Sequence, residues 1–178
     1  AVGEPRDARS GRTGIALLIK LAGACAAQGY TLRDTAALLR RANARLGTLS
    51  LQVDFGNNEV TFGKGFSGEP EILAEQGISL HAAVERAMEL LLEELSPQRG
   101  EKLFLLINRM RNASYSDSFR VAKAAYEVLA RTRQVMCTRV ANFSNIVDAY
   151  GYDFVILCAD ETLQHLLDGT VSTDCFMI

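Results

Sequence analysis

Residues 102–108 read Lys-Leu-Phe-Leu-Leu-Ile-Asn, an apolar run with no polar break, glycine or proline inside it. It has the length of a strand, and its unbroken apolar character predicts one covered on both faces. That requirement shapes everything around it. Strand patterns over 49–55, 59–62, 135–140 and 154–158 alternate with helical patterns over 14–28, 31–46, 79–95, 117–130 and 161–167. This order predicts an α/β fold, a mixed sheet with packed helices in a single domain, and there is no internal repeat.

Local signals mark the boundaries. Thr31 with Asp34 three residues on forms a capping-box pattern, and Leu32, Ala36, Leu39, Asn43 and Leu46 then make a mostly apolar stripe that Gly47 is expected to close as a C-cap. Gly56-Asn57-Asn58 between two alternating segments predicts a hairpin. Ser79 caps a helix whose inward residues are Val84, Met88, Leu91, Leu92 and Leu95, and Ser96-Pro97 ends it. The helix over 14–28 is apolar on nearly every side except at Lys20 and Gln28, so it is expected to be buried in a larger core or interface. Residues 1–13 carry alternating charges with Gly and Pro and read as a linker, which implies a preceding segment.

The chain has 178 residues, 48% hydrophobic and 22% charged, with a net charge of -2. No broad basic field exists for nucleic acid or an anionic membrane; Arg40, Arg41 and Arg45 read as a solvated helix face. The longest apolar stretch, 14–27, is interrupted by Lys20 and is too short to span a bilayer. Cys25, Cys137, Cys158 and Cys175 are scattered, without a Cys-x-x-Cys pair, so neither a disulfide framework nor a zinc site is expected and a reducing cytoplasm is. Cys175-Phe176-Met177-Ile178 has the spacing of a prenylation box. It ends in Ile with no polybasic segment upstream, and reads as an ordinary tail.

Candidate chemistry concentrates at Gly63-Lys64-Gly65-Phe66-Ser67-Gly68-Glu69-Pro70. Its Gly-x-Gly-x-x-Gly spacing matches a dinucleotide pattern, but Glu69-Pro70-Glu71 follow where a phosphate-binding helix would have to start. Ser67 lacks the second glycine of a nucleophile elbow, since Glu69 stands there. His81 and His165 read as exposed helix residues and not as its base. Asp153, Asp160 and Glu161 bracket the last strand, with Asp160 expected as an N-cap.

From Gly14 onward the chain resembles the C-terminal half of the substrate-binding subunit of dihydroxyacetone (glycerone) kinases. The segment 14–24 is similar to the family's first helix, including Lys20. Asp54-Phe55-Gly56-Asn57-Asn58-Glu59 and the Gly63–Pro70 loop are similar to its Leu-Gly-x-x-Glu strand and its Gly-Ile-His-Gly-Glu-Pro-Gly loop. Leu106-Ile107-Asn108 resembles Leu-Val-Asn, Ala141-Asn142-Phe143 resembles Gly-Asn-Tyr, and Gly151 to Leu157 resembles Gly-Phe-Ser-x-Thr-Leu-Leu.

The resemblance implies a kinase that holds dihydroxyacetone as a hemiaminal on the loop histidine, with the phosphoryl donor carried by a nucleotide-binding partner subunit or domain and no cofactor in this chain. It makes Ser67, Gly68 and Glu69 the substrate-binding residues. It assigns 14–178 to the family's second domain, implies a homodimer, and places the remaining catalytic His and Asp in the family's N-terminal half. Ser67 replaces the histidine, and a hydroxyl lacks the imidazole nitrogen that adds to a ketone. The turn 109–113 carries Arg109 and Arg111 in place of glycines, the segment 46–54 is shorter, and 144–147 differs. The expectation is a divergent member without the covalent chemistry that binds a ligand or a partner subunit. The alternative is a working kinase component acting on another small ketose or polyol, and a less favoured third is a purely structural or dimerisation module.

Overall fold

The computed structural model describes residues 13–64, 70–142, 148–169, 172–173 and 176–177. In chain order the elements are α1 (Ile15–Ala27), α2 (Leu32–Ala44), β1 (Leu46–Asp54), β2 (Glu59–Phe62), β3 (Leu73–Gln76), α3 (Leu80–Leu95), β4 (Lys102–Arg109), α4 (Tyr115–Thr132), β5 (Val135–Ala141), β6 (Tyr150–Ala159) and α5 (Glu161–Leu167), with a small hairpin of β7 (Ser172–Thr173) and β8 (Phe176–Met177). Six strands form one sheet in the order β3-β2-β1-β6-β4-β5. Only β4 and β5 run parallel, with α4 as the crossover; every other pair is antiparallel. This is the expected mixed α/β sheet.

The apolar run of β4 divides between two cores. Leu103, Leu105 and Ile107 face α3 and α4 together with Tyr152, Phe154 and Ile156 of β6. Phe104 and Leu106 face α1, α2 and α5 together with Val155 and Leu157. A strand wetted on neither side explains why no polar residue interrupts the run. At the far end a bidentate clamp ties β1 to the segment after α3: Arg45 Nε and Nη2 donate to Glu101 at 2.8 and 2.5 Å, while Nη1 donates to the Leu95 carbonyl at 3.0 Å. Glu101 holds the Arg45 guanidinium above its already high range.

Caps fall where the sequence puts them. Thr31 accepts from Asp34 N and donates to its carboxylate, Ser79 accepts from Ala82 N, and Asp160 accepts from Leu163 N. Three expectations are corrected. The buried stripe of α2 runs through Leu38 and Ala42, and Leu32 is 86% exposed. Gly47 is not a cap: α2 ends at Arg45 and Gly47 lies in β1, where a Cβ would stand 3.2 Å from Leu91 and Leu95. The residue is small because α3 crosses it. The third concerns α1, where Lys20, expected as a polar break in the apolar surface, is itself buried with Leu17, Leu21 and Cys25, while Ile15 and Ile19 are exposed in the single chain. Strand β3 was not expected; its alternating half-burial is the edge-strand pattern, with too few apolar residues to signal itself.

Gly151 is required by its neighbours. A Cβ there would lie 2.2 Å from the Leu51 carbonyl oxygen and 3.0 Å from Gln52 Cα, which are backbone atoms of a central strand and cannot step aside. Gly151→Ala is expected to destabilise the fold by about 3 kcal/mol. Urea unfolding checks this as a lowered midpoint with an unchanged slope.

Candidate functional site

Strands β2 and β3 form a hairpin, with Phe62 opposite Leu73, so residues 63–72 are its connection. Gly63 begins it with φ +83°, a left-handed conformation, and a Cβ there would approach Ile72 Cγ1 to 2.9 Å. Gly63 N donates to the Ser50 carbonyl at 2.8 Å, and Gln52 Nε2 donates to the Lys64 carbonyl at 3.1 Å. The connection therefore leaves the sheet beside Ser50 and Gln52. Ser67, Gly68 and Glu69, the expected substrate-binding residues, lie outside the described residues, as do Phe143, 144–147 and Cys175.

Beside the start of this connection is an open cavity of about 550 Å³. Gln52, Asp54, Glu59 and Thr61 of β1 and β2 line it, with Lys64, Asn112 and Asp148. Further along β1 lies a polar row across three strands. Ser50 and Asn108 are both register partners of Asp153. Ser50 Oγ donates to Asp153 Oδ1 at 2.7 Å; Asn108 Nδ2 and Thr13 Oγ1 donate to Oδ2 at 2.8 and 3.3 Å. Burial pushes the Asp153 carboxyl above its usual range, and these hydrogen bonds oppose the rise. In sequence Asp153 is an acid near a strand end, and nothing local points to Thr13, Ser50 or the partnership of Asn108. The available signal was the polar residue closing the apolar run at Asn108.

A second cavity, of about 540 Å³, opens between α3 and α4 on the opposite face of the sheet. Phe55 and Tyr150 border both cavities and stack edge to face at 4.8 Å. Tyr150 Oη donates to Asp117 Oδ2 at 2.6 Å. Burial first and then the carboxylate hold the Tyr150 phenol well above its usual range. Hydrogen bonds from Ser114 and Tyr150 hold Asp117 below the usual carboxylate range.

The other singled-out residues do not converge. His81 lines the second cavity and lies 3.8 Å from Glu85, whereas His165 is exposed on α5. Arg41 approaches Asp160 at 3.5 Å and Arg45 holds Glu101, so the arginines form no shared patch. Cys25 and Cys158 are buried, and burial pushes the Cys158 thiol up to about 11, as suits a small inert hydrophobe. Among the described residues no group of three or more His, Cys, Asp or Glu is placed to hold a metal, and no helix is long and apolar enough to cross a membrane.

The Dak1 domain profile matches residues 1–175. The chain is 25% identical over 180 residues to the dihydroxyacetone-binding subunit DhaK of a PTS-dependent dihydroxyacetone kinase of Listeria innocua, covering 93% of this chain and 55% of that one. A solved structure concerned with regulation of the dha operon of Lactococcus lactis is similar with a TM-score of 0.82 and 22% identity, covering 93% of this chain and 52% of that chain. The dihydroxyacetone kinase operon co-activator DhaQ is similar with a TM-score of 0.78 and 21% identity, covering 95% and 57%. At such identities the two structures speak to the fold. The chain spans about half the length of these relatives, and 30% of a longer one from Solanum lycopersicum.

The Ser114–Asp117–Tyr150 group yields a pH prediction. Because the folded carboxyl sits below its unfolded value of about 3.9, its stabilisation is present above that pH and is lost as pH falls through the depressed folded value. Asp117→Asn should lower stability at pH 7 and flatten this acid limb, read by urea midpoints across pH. Ser114→Ala removes the cap from α4 and should cost about 1 kcal/mol.

Proposed function

The chain belongs to the Dak1 domain family, and on that footing we propose that it is the second domain of a dihydroxyacetone-kinase-like binding unit, one that holds a small ketose or polyol without covalent capture. The observation that carries this reading is the placement of the loop. The connection bearing Ser67 springs from the sheet at Ser50 and Gln52, beside an open polar cavity lined by Gln52, Asp54, Lys64, Asn112 and Asp148. Family resemblance puts the ligand at this loop, and the chain offers a hydroxyl there in place of an imidazole.

A serine adds to a carbonyl only with a base beside it. The chain's two histidines are His81, on the opposite face, and His165, on α5. Hydrogen-bonded capture is the role that remains for this loop. Transfer itself would need a donor brought by a nucleotide-binding kinase subunit, and the exposed Ile15 and Ile19 of α1 leave apolar surface for a partner subunit or a second copy. Buried, unpaired Cys25 and Cys158 suit a reducing cytoplasm.

Carbon NMR of carbonyl-labelled dihydroxyacetone tests the reading. With the wild-type protein the bound ligand is expected to keep its ketone signal, and titration calorimetry should register binding. A tetrahedral carbon formed with the wild type would favour a working covalent kinase component. Ser67→His is expected to create that tetrahedral signal. No calorimetric response to dihydroxyacetone or to short ketoses and polyols would overturn the binding role.

A further inference from the structure

Asp153 is a carboxylate set in a strand otherwise given to apolar packing. Between Gly151 and Ala159 it is the single position of β6 that is not fully buried, in a strand otherwise given to two apolar cores. Its three hydrogen-bond donors, Thr13, Ser50 and Asn108, are all neutral. No lysine, arginine or histidine forms an ion pair with it among the described residues. Holding an uncompensated charge in such a place costs solvation, and a side chain retained against that cost is a functional candidate.

Its position supplies the second argument. Ser50, whose hydroxyl donates to Asp153, is also the residue whose carbonyl receives Gly63 N. The carboxylate thus lies one strand in from the root of the connection that carries Ser67. Gln52, two residues further along β1, holds the Lys64 carbonyl and lines the cavity.

We propose that Asp153 is the ligand-recognising carboxylate of this chain, accepting hydrogen bonds from the hydroxyls of a small polyol or hydroxyketone held at the root of the 63–72 connection. An ionised carboxylate offers about four acceptor positions. Thr13, Ser50 and Asn108 occupy three, and the Thr13 bond, at 3.3 Å, is the longest and the one a ligand hydroxyl most readily replaces. Charge-assisted bonds of this kind discriminate a hydroxylated ligand from its deoxy analogue, because the analogue leaves the carboxylate unanswered. This assignment rests on the binding reading above, and adds which group does the recognising.

Calorimetry with dihydroxyacetone and with hydroxyacetone, which lacks one hydroxyl, tests it on the wild type, D153N and D153S. The wild type should prefer dihydroxyacetone. Both variants should lose that preference and bind dihydroxyacetone about tenfold more weakly or worse, with thermal midpoints close to the wild type's. Binding and preference retained in D153N would overturn the role of Asp153 alone. Silence of the wild type toward both probes would overturn this role and the binding reading together. Failure of both variants to fold would assign the row to stability and overturn the proposal.

Discussion

A strand buried on both faces admits a polar side chain only where neighbours answer its hydrogen bonds, and β4 and β6 are such strands. The rest of the structure follows from keeping that pair dry. Helices α3 and α4 cover one side with Val84, Met88, Leu91, Val121 and Leu129; α1, α2 and α5 cover the other with Leu17, Leu21, Leu38 and Leu163. The polar row of Ser50, Asp153 and Asn108 marks where the second cover gives out. Thr13, immediately before α1, closes it with a longer bond.

That boundary is where the proposed binding chemistry falls. The hairpin of β2 and β3 lies outside β1, and its connection leaves at the level of the polar row, so the start of that connection and the partly buried Asp153 carboxylate share one region of the sheet. Asn108 is the penultimate residue of β4, Ala141 ends β5 and Gly151 is the second residue of β6, so the described segments that resemble the family also gather there. In open α/β sheets the carboxyl ends of parallel strands are where ligands are commonly held. Phe55 and Tyr150 separate this region from the cavity under α3 and α4, and the bond from Tyr150 to Asp117 secures that wall.

Much of this was legible from pattern. Alternation placed β1 and β2, an unbroken apolar run placed β4, and helical patterning placed α3, α4 and α5, because apolar spacing records which faces are buried whatever the fold. Caps at Thr31, Ser79 and Asp160 were legible because a cap needs only its own first turn. Errors arose where the decisive neighbour is remote. The residues of α2 by themselves allow two registers, one of them through Leu32, and α1 and the sheet choose Leu38 and Ala42. Gly47 resembled a helix stop because glycine commonly is one, and only the crossing of Leu91 and Leu95 shows it to be a contact glycine.

The sequence alone determined the α/β layering and the resemblance to the family, since each rests on residue types at short, readable spacings. Tertiary structure decided the site. Residues 13, 50, 108 and 153 come from four separate segments, and no local spacing relates them; strand register brings them within hydrogen-bond distance. The same register sets the root of the loop against Ser50. A carboxylate that in sequence is one acid near a strand end is thereby set among Thr13, Ser50 and Asn108, because the pairing of β1, β6 and β4 aligns those residues and Thr13 reaches it from before α1.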